Sequence, residues 1–503
     1  MPNLRVLINC NALFSEPPSY FSNELRVLDF KNYHGTSLPS NFNGKNLVDL
    51  RMTMCKLKSL GNKFKNFQNL KCLDLEKCDF LKRIPDTSRL PNLENLYISK
   101  CNRLVEVDQS IGSHCKLVRL SIHKCPKLNS FPSSLNMRSL ESLYVHAGVS
   151  LVSFPEIGLE MKCLIWIKWS STSIKELPHS IGNLTELQYL HLESNKNLAH
   201  IPSSICQLEN LSHLDLIGCT KRITYPKLDS LTFTNWFSKV TKLKLPWGTF
   251  VILPGLMDRF VGLRELSLYG CDKLKKIEKL PPNIEVVKAR YCSSLESFPD
   301  ISKRFEFNTS NLSKLHSIDL YGCSKMLVNV GSHVAAILRP EEAGFGKSSG
   351  LLFPGNKIPN WFSNCKETSN SCSSDIFIEV ELLNPSVIKG ILTCAVFNAR
   401  RNVICSSIQV NYDGRCLGTI FYTYFFLADS NPHVWLASYD LKPFTLAKGS
   451  LQICFKCDSG GILFKHCGVH LVRKDEKNAK RKRDDDDEKY YSMDDNLEDG
   501  DED

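Results

Sequence analysis

A chain of 503 residues, 42% of them hydrophobic, is long enough for two or three domains and apolar enough to bury a substantial core. Its longest apolar run, Ile420 to Ala428, has about half the length of a membrane-spanning helix; Met1 opens without a secretory leader, so the expectation is a cytoplasmic protein with no membrane partner. The formal charge of +10 hides an asymmetry, because residues 484–503 carry twelve Asp or Glu against one Lys and the rest of the chain stands at +21.

Residues 1–330 follow one pattern, Leu-x-x-Leu-x-Leu-x-x-Cys. It is plainest in LKCLDLEKC (Leu70 to Cys78) and recurs from Leu93, Leu117, Leu211, Leu263 and Leu315, with weaker copies from Leu4, Leu25, Leu47, Leu140, Leu164, Leu187, Val240 and Ile284. These fourteen starts, mostly 21–24 residues apart, are the period of leucine-rich repeats. Leucines at the first, fourth and sixth positions bracket a short strand and point into a core that no single repeat can close, so neighbours must stack. Spacings of 29 after Leu211 and 31 after Ile284 mark two insertions. A proline near the sixteenth position, as in LKRIPDTSRL and LAHIPSSICQL, favours an irregular or short helical convex side. Strands stacked at roughly 4.8 Å give an inner sheet on the order of 60 Å long.

The ninth position holds Cys55, Cys78, Cys101, Cys125, Cys219, Cys271, Cys292 and Cys323, and once Asn195. A total of 21 cysteines is odd, and a fixed place in a repeat calls for a small buried residue under a turn, so these read as reduced thiols rather than a disulfide framework. The second, third, fifth, seventh and eighth residues of each unit are expected on the concave side. Across neighbouring repeats they gather Tyr97, His123, Tyr144, His146, Trp166, Lys168, Tyr189, His191 and Glu193, the residue types that dominate protein interfaces. The alternative for any one of them is an ordinary solvated sheet face.

The repeat pattern stops near residue 330, and residues 331–350, containing EEAGFGKSSG, read as a linker. FPGNKIPNWF follows, with Trp361 as a further candidate contact and Trp361 and Phe362 as the anchor of a new domain. From Ile376 short strands alternate with turns, as in IFIEVELL, SIQVNYDG, HVWLASYD and CGVHLV, so residues 351–472 read as an all-β sandwich. Residues 473–503 cannot bury a core and are expected to be disordered; Lys480, Arg481, Lys482 and Arg483 form a candidate nuclear import signal beside the acidic run.

FPGNKIPNWF resembles the entry motif of the C-terminal jelly-roll and Ig-like domain that follows the repeats in plant TIR-type nucleotide-binding resistance proteins. HVWLASYD and HCGVHLV resemble its late strands, and MPNLRVL, LPSNFNGKNLVDLRM, SFPEIG and LPHSIGNL resemble that family's repeat region. The resemblance implies an α/β leucine-rich-repeat horseshoe, then a jelly-roll/Ig-like sandwich and a charged tail. It also implies immune surveillance, with a pathogen effector or guarded host protein as partner. Neither a TIR segment nor a nucleotide-binding domain is found, so the family's NAD cleavage and nucleotide switch are not expected here, and a nucleotide-binding helper chain would supply the switch.

No chemistry competes with that reading. GFGKSS (Gly344 to Ser349) lacks the first glycine of a phosphate loop, since Glu341 stands five positions before Gly346. Cys454, Cys457, Cys467 and His470 have zinc-like spacing, but strand alternation splits the last pair. No catalytic constellation appears, so neither enzyme activity, cofactor nor metal is expected. A basic nucleic-acid-associated protein and a nonfunctional receptor fragment are the alternatives; scattered basic residues without a motif rank nucleic acid below protein as the partner.

Overall fold

Every leucine motif becomes a short strand beginning at the third residue of its unit, as in Cys72–Glu76, Asn95–Ser99, Arg119–His123, Ser142–His146 and Trp166–Ser170. The computed structural model describes residues 3–473 apart from 225–238, 299–314, 327–349 and shorter stretches at 11, 13, 15, 61–63, 85, 254–256, 258–259, 316, 359–361, 368–374, 400–405, 423–428, 442–443 and 458–461. Most of both long insertions therefore lies outside the described residues, as do the GFGKSS stretch, Trp361 and the charged tail beyond residue 473. The chain divides into two units, Met1–Ile284 and Glu285–Asp503.

In the first unit the strands pair in parallel at one register. Leu73 stands opposite Leu96, then Leu120, Leu143, Ile167 and Leu190, and every member of this column is fully buried. Each such side chain contributes about 1.5–3 kcal/mol relative to exposure, and only a neighbouring repeat can supply the cover.

The convex side corrects the expected α/β class: this is a β-solenoid with almost no helix among its described residues. Short 3-10 turns at Phe64–Asn66, Gln109–Ser113, His179–Asn183 and Ser203–Gln207 stand where α-helices would be, beside two-residue strands such as Arg83–Ile84 against Glu106–Val107. Pro178 and Pro202 open two of the turns. A repeat this short leaves too little chain for a helix that would have to satisfy four unpaired groups at each end. No described helix is long and apolar enough to cross a membrane.

The eighth position behaves differently from the strand it follows. Asn32, Met54, Lys77, Lys100, Lys124, Ala147, Ser171 and Ser194 all have φ between 53° and 62°, and Gly218, Gly270 and Gly322 take the same left-handed region. For a residue with a side chain this costs about 1 kcal/mol. The turn returns a hydrogen bond: the N–H of Lys77 donates to the carbonyl of Ser99 (2.8 Å), that of Lys100 to His123 (2.7 Å) and that of Lys124 to His146 (2.8 Å). The eighth residue is thus the corner beyond the strand rather than part of its outward face.

At the ninth position the described cysteines are free and buried. Cys78 Sγ lies 3.4 Å from the Met52 carbonyl, Cys101 Sγ 3.6 Å from that of Leu75 and Cys219 Sγ 3.2 Å from that of Leu192, so each thiol satisfies a carbonyl of the preceding repeat. Burial pushes the Cys219 thiol up to about 12. Asn195 fills the role more fully: its amide donates to the carbonyls of Trp169 (2.7 Å) and Leu192 (2.9 Å), and its oxygen accepts from the backbone N–H (2.9 Å) and hydroxyl (2.6 Å) of Thr172.

In the second unit the last two repeat strands, Val286–Lys288 and Ser317–Asp319, pair in parallel, and Gly350–Pro354 adds alongside Ser317–Asp319. The other edge of Gly350–Pro354 pairs antiparallel with Asp429–Asp440, which continues through Ile388–Ala399 and Ile462–Arg473 to Asn364–Glu367. A second antiparallel sheet runs Ile376–Leu382, Gly449–Cys457, Ser406–Tyr412 and Arg415–Tyr422. Its last turn is Asp413-Gly414, both at positive φ, the two-residue hairpin that Asp-Gly favours. Ile391, Trp435 and Val469 from the first sheet and Ile378, Val410 and Ile453 from the second share one core. His433, fully buried, stacks on Tyr321 at 4.2 Å; its Nε2 accepts the Gly322 N–H at 3.0 Å while Nδ1 donates to the Asn431 carbonyl, also at 3.0 Å. Those two bonds set the neutral tautomer and join the last repeat to the sheet that follows it.

Candidate recognition surface

The strands of the first unit present three columns, at positions three, five and seven between the buried leucines, in which most side chains reach solvent while Ser170 and Asp215 are buried. Position three runs Ser142, Trp166, Tyr189, His213 and Lys242; position five runs Tyr97, Ser121, Tyr144, Lys168, His191, Asp215 and Lys244. Position seven contributes His123, His146 and Ser170, side by side.

Eight of the nine residues expected on this face converge into two linked clusters. His123 and His146 stack with ring centroids 5.1 Å apart, and Tyr144 lies 6.0 Å and 6.2 Å from them. Tyr144 Oη approaches His123 Nδ1 at 3.5 Å, and His146 Nδ1 meets Ser170 Oγ at 2.8 Å. In the second cluster Trp166 packs on Tyr189 at 4.7 Å and on His191 at 4.9 Å, and Tyr189 stacks on His213 at 4.8 Å. Lys168 ties the two together, its ammonium 5.9 Å from the Tyr144 ring centre and 3.3 Å from Glu193, which lies 3.6 Å from His191 Nδ1. Tyr97 stands apart, separated from Tyr144 by the Ser121 strand, and hydrogen-bonds Asn95 at 3.4 Å. Trp361 lies outside the described residues.

The arrangement suits a flat contact. Trp166 keeps 38% of its surface exposed although its rings are stacked, so the indole is held in place and still presented to solvent. Burial lowers the pKa of His123, His146, His191 and His213, and nearby ammoniums lower each further; Glu193 opposes this at His146 and His191. The four imidazoles are therefore held neutral at pH 7.

Sequence reasoning missed His213, Asp215, Lys242 and Lys244, although the same columns carry them through the next two repeats. Asp215 accepts from the Ile217 N–H at 2.9 Å and pairs with Lys244 at 2.5 Å. The ligand atoms of His191, Glu193 and Asp215 lie within 4.8 Å of one another, a spacing that a cation can use. Lys168 and Lys244 already neutralise both carboxylates, so a divalent ion would have to displace two ammoniums, and the chemistry of this set fits an ion-pair network better than a metal site. Among the described side chains of the zinc-like set in the second unit, Cys454 and Cys467 do not converge. Cys467 belongs to the sandwich core, whereas alternation beside the core residues Ile453 and Phe455 turns Cys454 to the other side of its sheet. The side chain of Cys457 lies outside the described residues.

Residues 136–227 match the family model described as disease resistance protein RPS4B-like, leucine-rich repeats. Disease resistance protein RPS4B of Arabidopsis thaliana is 24% identical over 513 residues, covering 90% of this chain and 41% of that protein. TMV resistance protein N of Nicotiana glutinosa is 27% identical over 416 residues, covering 68% of this chain and 36% of that protein. A solved leucine-rich-repeat protein of Leptospira interrogans is similar at 20% identity and a TM-score of 0.38, over 59% of this chain and 84% of that one. The chain spans less than half the length of these two plant relatives. A match over 90% of the chain cannot be confined to the repeats, so the likeness to RPS4B runs into the C-terminal strands.

Proposed function

We propose that this chain, whose relatives are plant TIR-type nucleotide-binding leucine-rich-repeat resistance proteins, is the recognition part of such a receptor. In this reading it is a non-enzymatic module that senses a pathogen effector or a guarded host protein through the concave face and the C-terminal β domain. Its parts are a repeat solenoid over about 1–330, a jelly-roll/Ig-like domain over about 351–472 and, outside the described residues, the connecting stretch before that domain and the charged tail after it. It acts in the cytoplasm, with import to the nucleus through Lys480 to Arg483 as a variant of the same reading, and a nucleotide-binding helper chain supplies the switch.

The observation that carries this is the pair of linked ring clusters around Tyr144 and Trp166: aromatic side chains held rigid by stacking yet exposed are the usual anchors of a protein interface. The test begins with affinity capture on the purified chain from infected plant tissue, identification of the retained protein, and titration of that protein in pure form. Tyr144→Ala, Trp166→Ala and Tyr189→Ala together are expected to weaken binding at least 30-fold, roughly 2 kcal/mol or more. Unchanged affinity would move the site off this face.

A further inference from the structure

At the eighth position of each repeat the backbone fixes the conformation but not the side chain. Glycine takes the left-handed corner at Gly218, Gly270 and Gly322, and the small Ala147, Ser171 and Ser194 take it in three successive repeats. Three other successive repeats place lysine there, Lys77, Lys100 and Lys124, at φ of 53°, 56° and 53°. Side chains as different as Met54, Ala147, Trp247 and Tyr291 take the same corner, so what sets the three lysines apart is the charge they place there.

That edge borders the first ring cluster, since Lys124 directly follows His123 and the His146 carbonyl receives its N–H. The charges there do not balance. Lys100 is paired with Glu76 at 2.8 Å and Lys168 with Glu193 at 3.3 Å, while Lys124 is exposed and, among the described residues, has no carboxylate within ion-pair distance. The stacked imidazoles and Tyr144 therefore form an aromatic floor with a surplus ammonium at its rim.

We infer that this end of the face receives an acidic segment of the partner protein, with a side-chain carboxylate seated between Lys124 and the His123–His146 pair. The inference rests on the recognition reading above and names the partner's chemistry. A nucleic-acid backbone fits less well, because a run of phosphates needs several free cations, whereas Lys100, Lys168 and Lys244 on this face are already paired with carboxylates. The groups that face the two imidazoles are Tyr144, Ser170, Lys100, Lys124, Lys168 and Glu193. A bound carboxylate opposes burial and the ammoniums, favours the protonated rings, and is held more tightly as pH falls.

The experiment is fluorescence anisotropy on the full chain with a labelled ten-residue peptide of alternating Glu and Tyr, against the Lys–Tyr counterpart and a ten-nucleotide thymidine strand. The acidic peptide alone is expected to bind, at least threefold tighter at pH 5.5 than at pH 7.5 and at least fivefold weaker in 300 mM than in 50 mM salt. Lys124→Glu should weaken it at least tenfold. Lys124→Gly, which sits at ease at this φ and so preserves the fold, should weaken it at least threefold. Lys127→Glu, exposed and off the strand, should leave it unchanged. Absent binding, equal binding of the basic peptide or the oligonucleotide, or indifference to both Lys124 variants overturns the inference. A captured partner that needs Trp166 and Tyr189 but binds wild type and Lys124→Gly equally would overturn it while leaving the recognition reading intact.

Discussion

In Met1–Ile284 each strand pairs with the strands of the neighbouring repeats, while in Glu285–Asp503 Ala395 stands between Trp435 and Cys467, far along the chain on both sides. The first arrangement adds cover in equal steps, so damage should spread only to adjacent repeats. The second closes one core between two sheets, so a loss anywhere in it is felt by all. Paired core truncations make the difference measurable. Trp435→Ala removes a side chain only 2% exposed and is expected to cost about 4 kcal/mol. Hydrogen exchange should then show protection falling together along Ile376–Leu382, Ile388–Ala399 and Gly449–Cys457. Leu143→Ala, in the buried column, should cost about 3 kcal/mol. Protection should fall in the strands around Ser142–His146 and stay intact at Val27–Lys31. Uniform loss across the first unit would mean that it folds as a single block rather than repeat by repeat.

A smaller effect separates the two ways of filling the ninth position. The cysteines meet one or two carbonyls through a weak S–H donor, whereas Asn195 joins Trp169, Thr172 and Leu192 by four hydrogen bonds and is fully buried. Asn195→Ala is expected to cost about 2 kcal/mol in chemical denaturation, since it orphans two backbone carbonyls and the Thr172 donors. Asn195→Cys should recover part of that by restoring one contact. Cys78→Ala, which gives up only weak S–H contacts to the Met52 and Glu76 carbonyls, should cost less than half as much.

Leucine and cysteine spacing made the solenoid and its buried column legible, because both are dictated by a period that any one repeat displays. The columns of the face were legible for the same reason as far as Glu193, and stopping there left out His213, Asp215, Lys242 and Lys244. The left-handed corner was not legible. Lys77, Ala147 and Ser194 share no chemistry that announces positive φ, and only the three glycines hint at it. Nor was the strand Gly350–Pro354, whose parallel partner Ser317–Asp319 and antiparallel partner Asp429–Asp440 lie across long stretches of chain. Phe362, expected to anchor the sandwich, is buried, and a side chain at Gly468 would come within 3.1 Å of its ring.

The smallest expected effect is a pH dependence particular to the repeat unit. Burial holds His123, His146, His191 and His213 below the ordinary histidine value, and His114, whose Nε2 lies 2.9 Å from the Leu90 carbonyl, is lowered for the same reason. The unfolded chain therefore takes up these protons first, near pH 6.5, and binds more of them than the folded chain until the lowered values are also passed. Stability contributed by the neutral rings is fully present above that pH and is lost as pH falls through it toward 5. A denaturation series between pH 7.5 and 5 should show the midpoint of the first unit falling. Replacing the four face histidines by glutamine, which cannot charge, should flatten most of that slope. A midpoint that rose with acidification would mean that the carboxylates Glu193 and Asp215 govern the imidazoles more strongly than burial does, and would reverse the sign argued here.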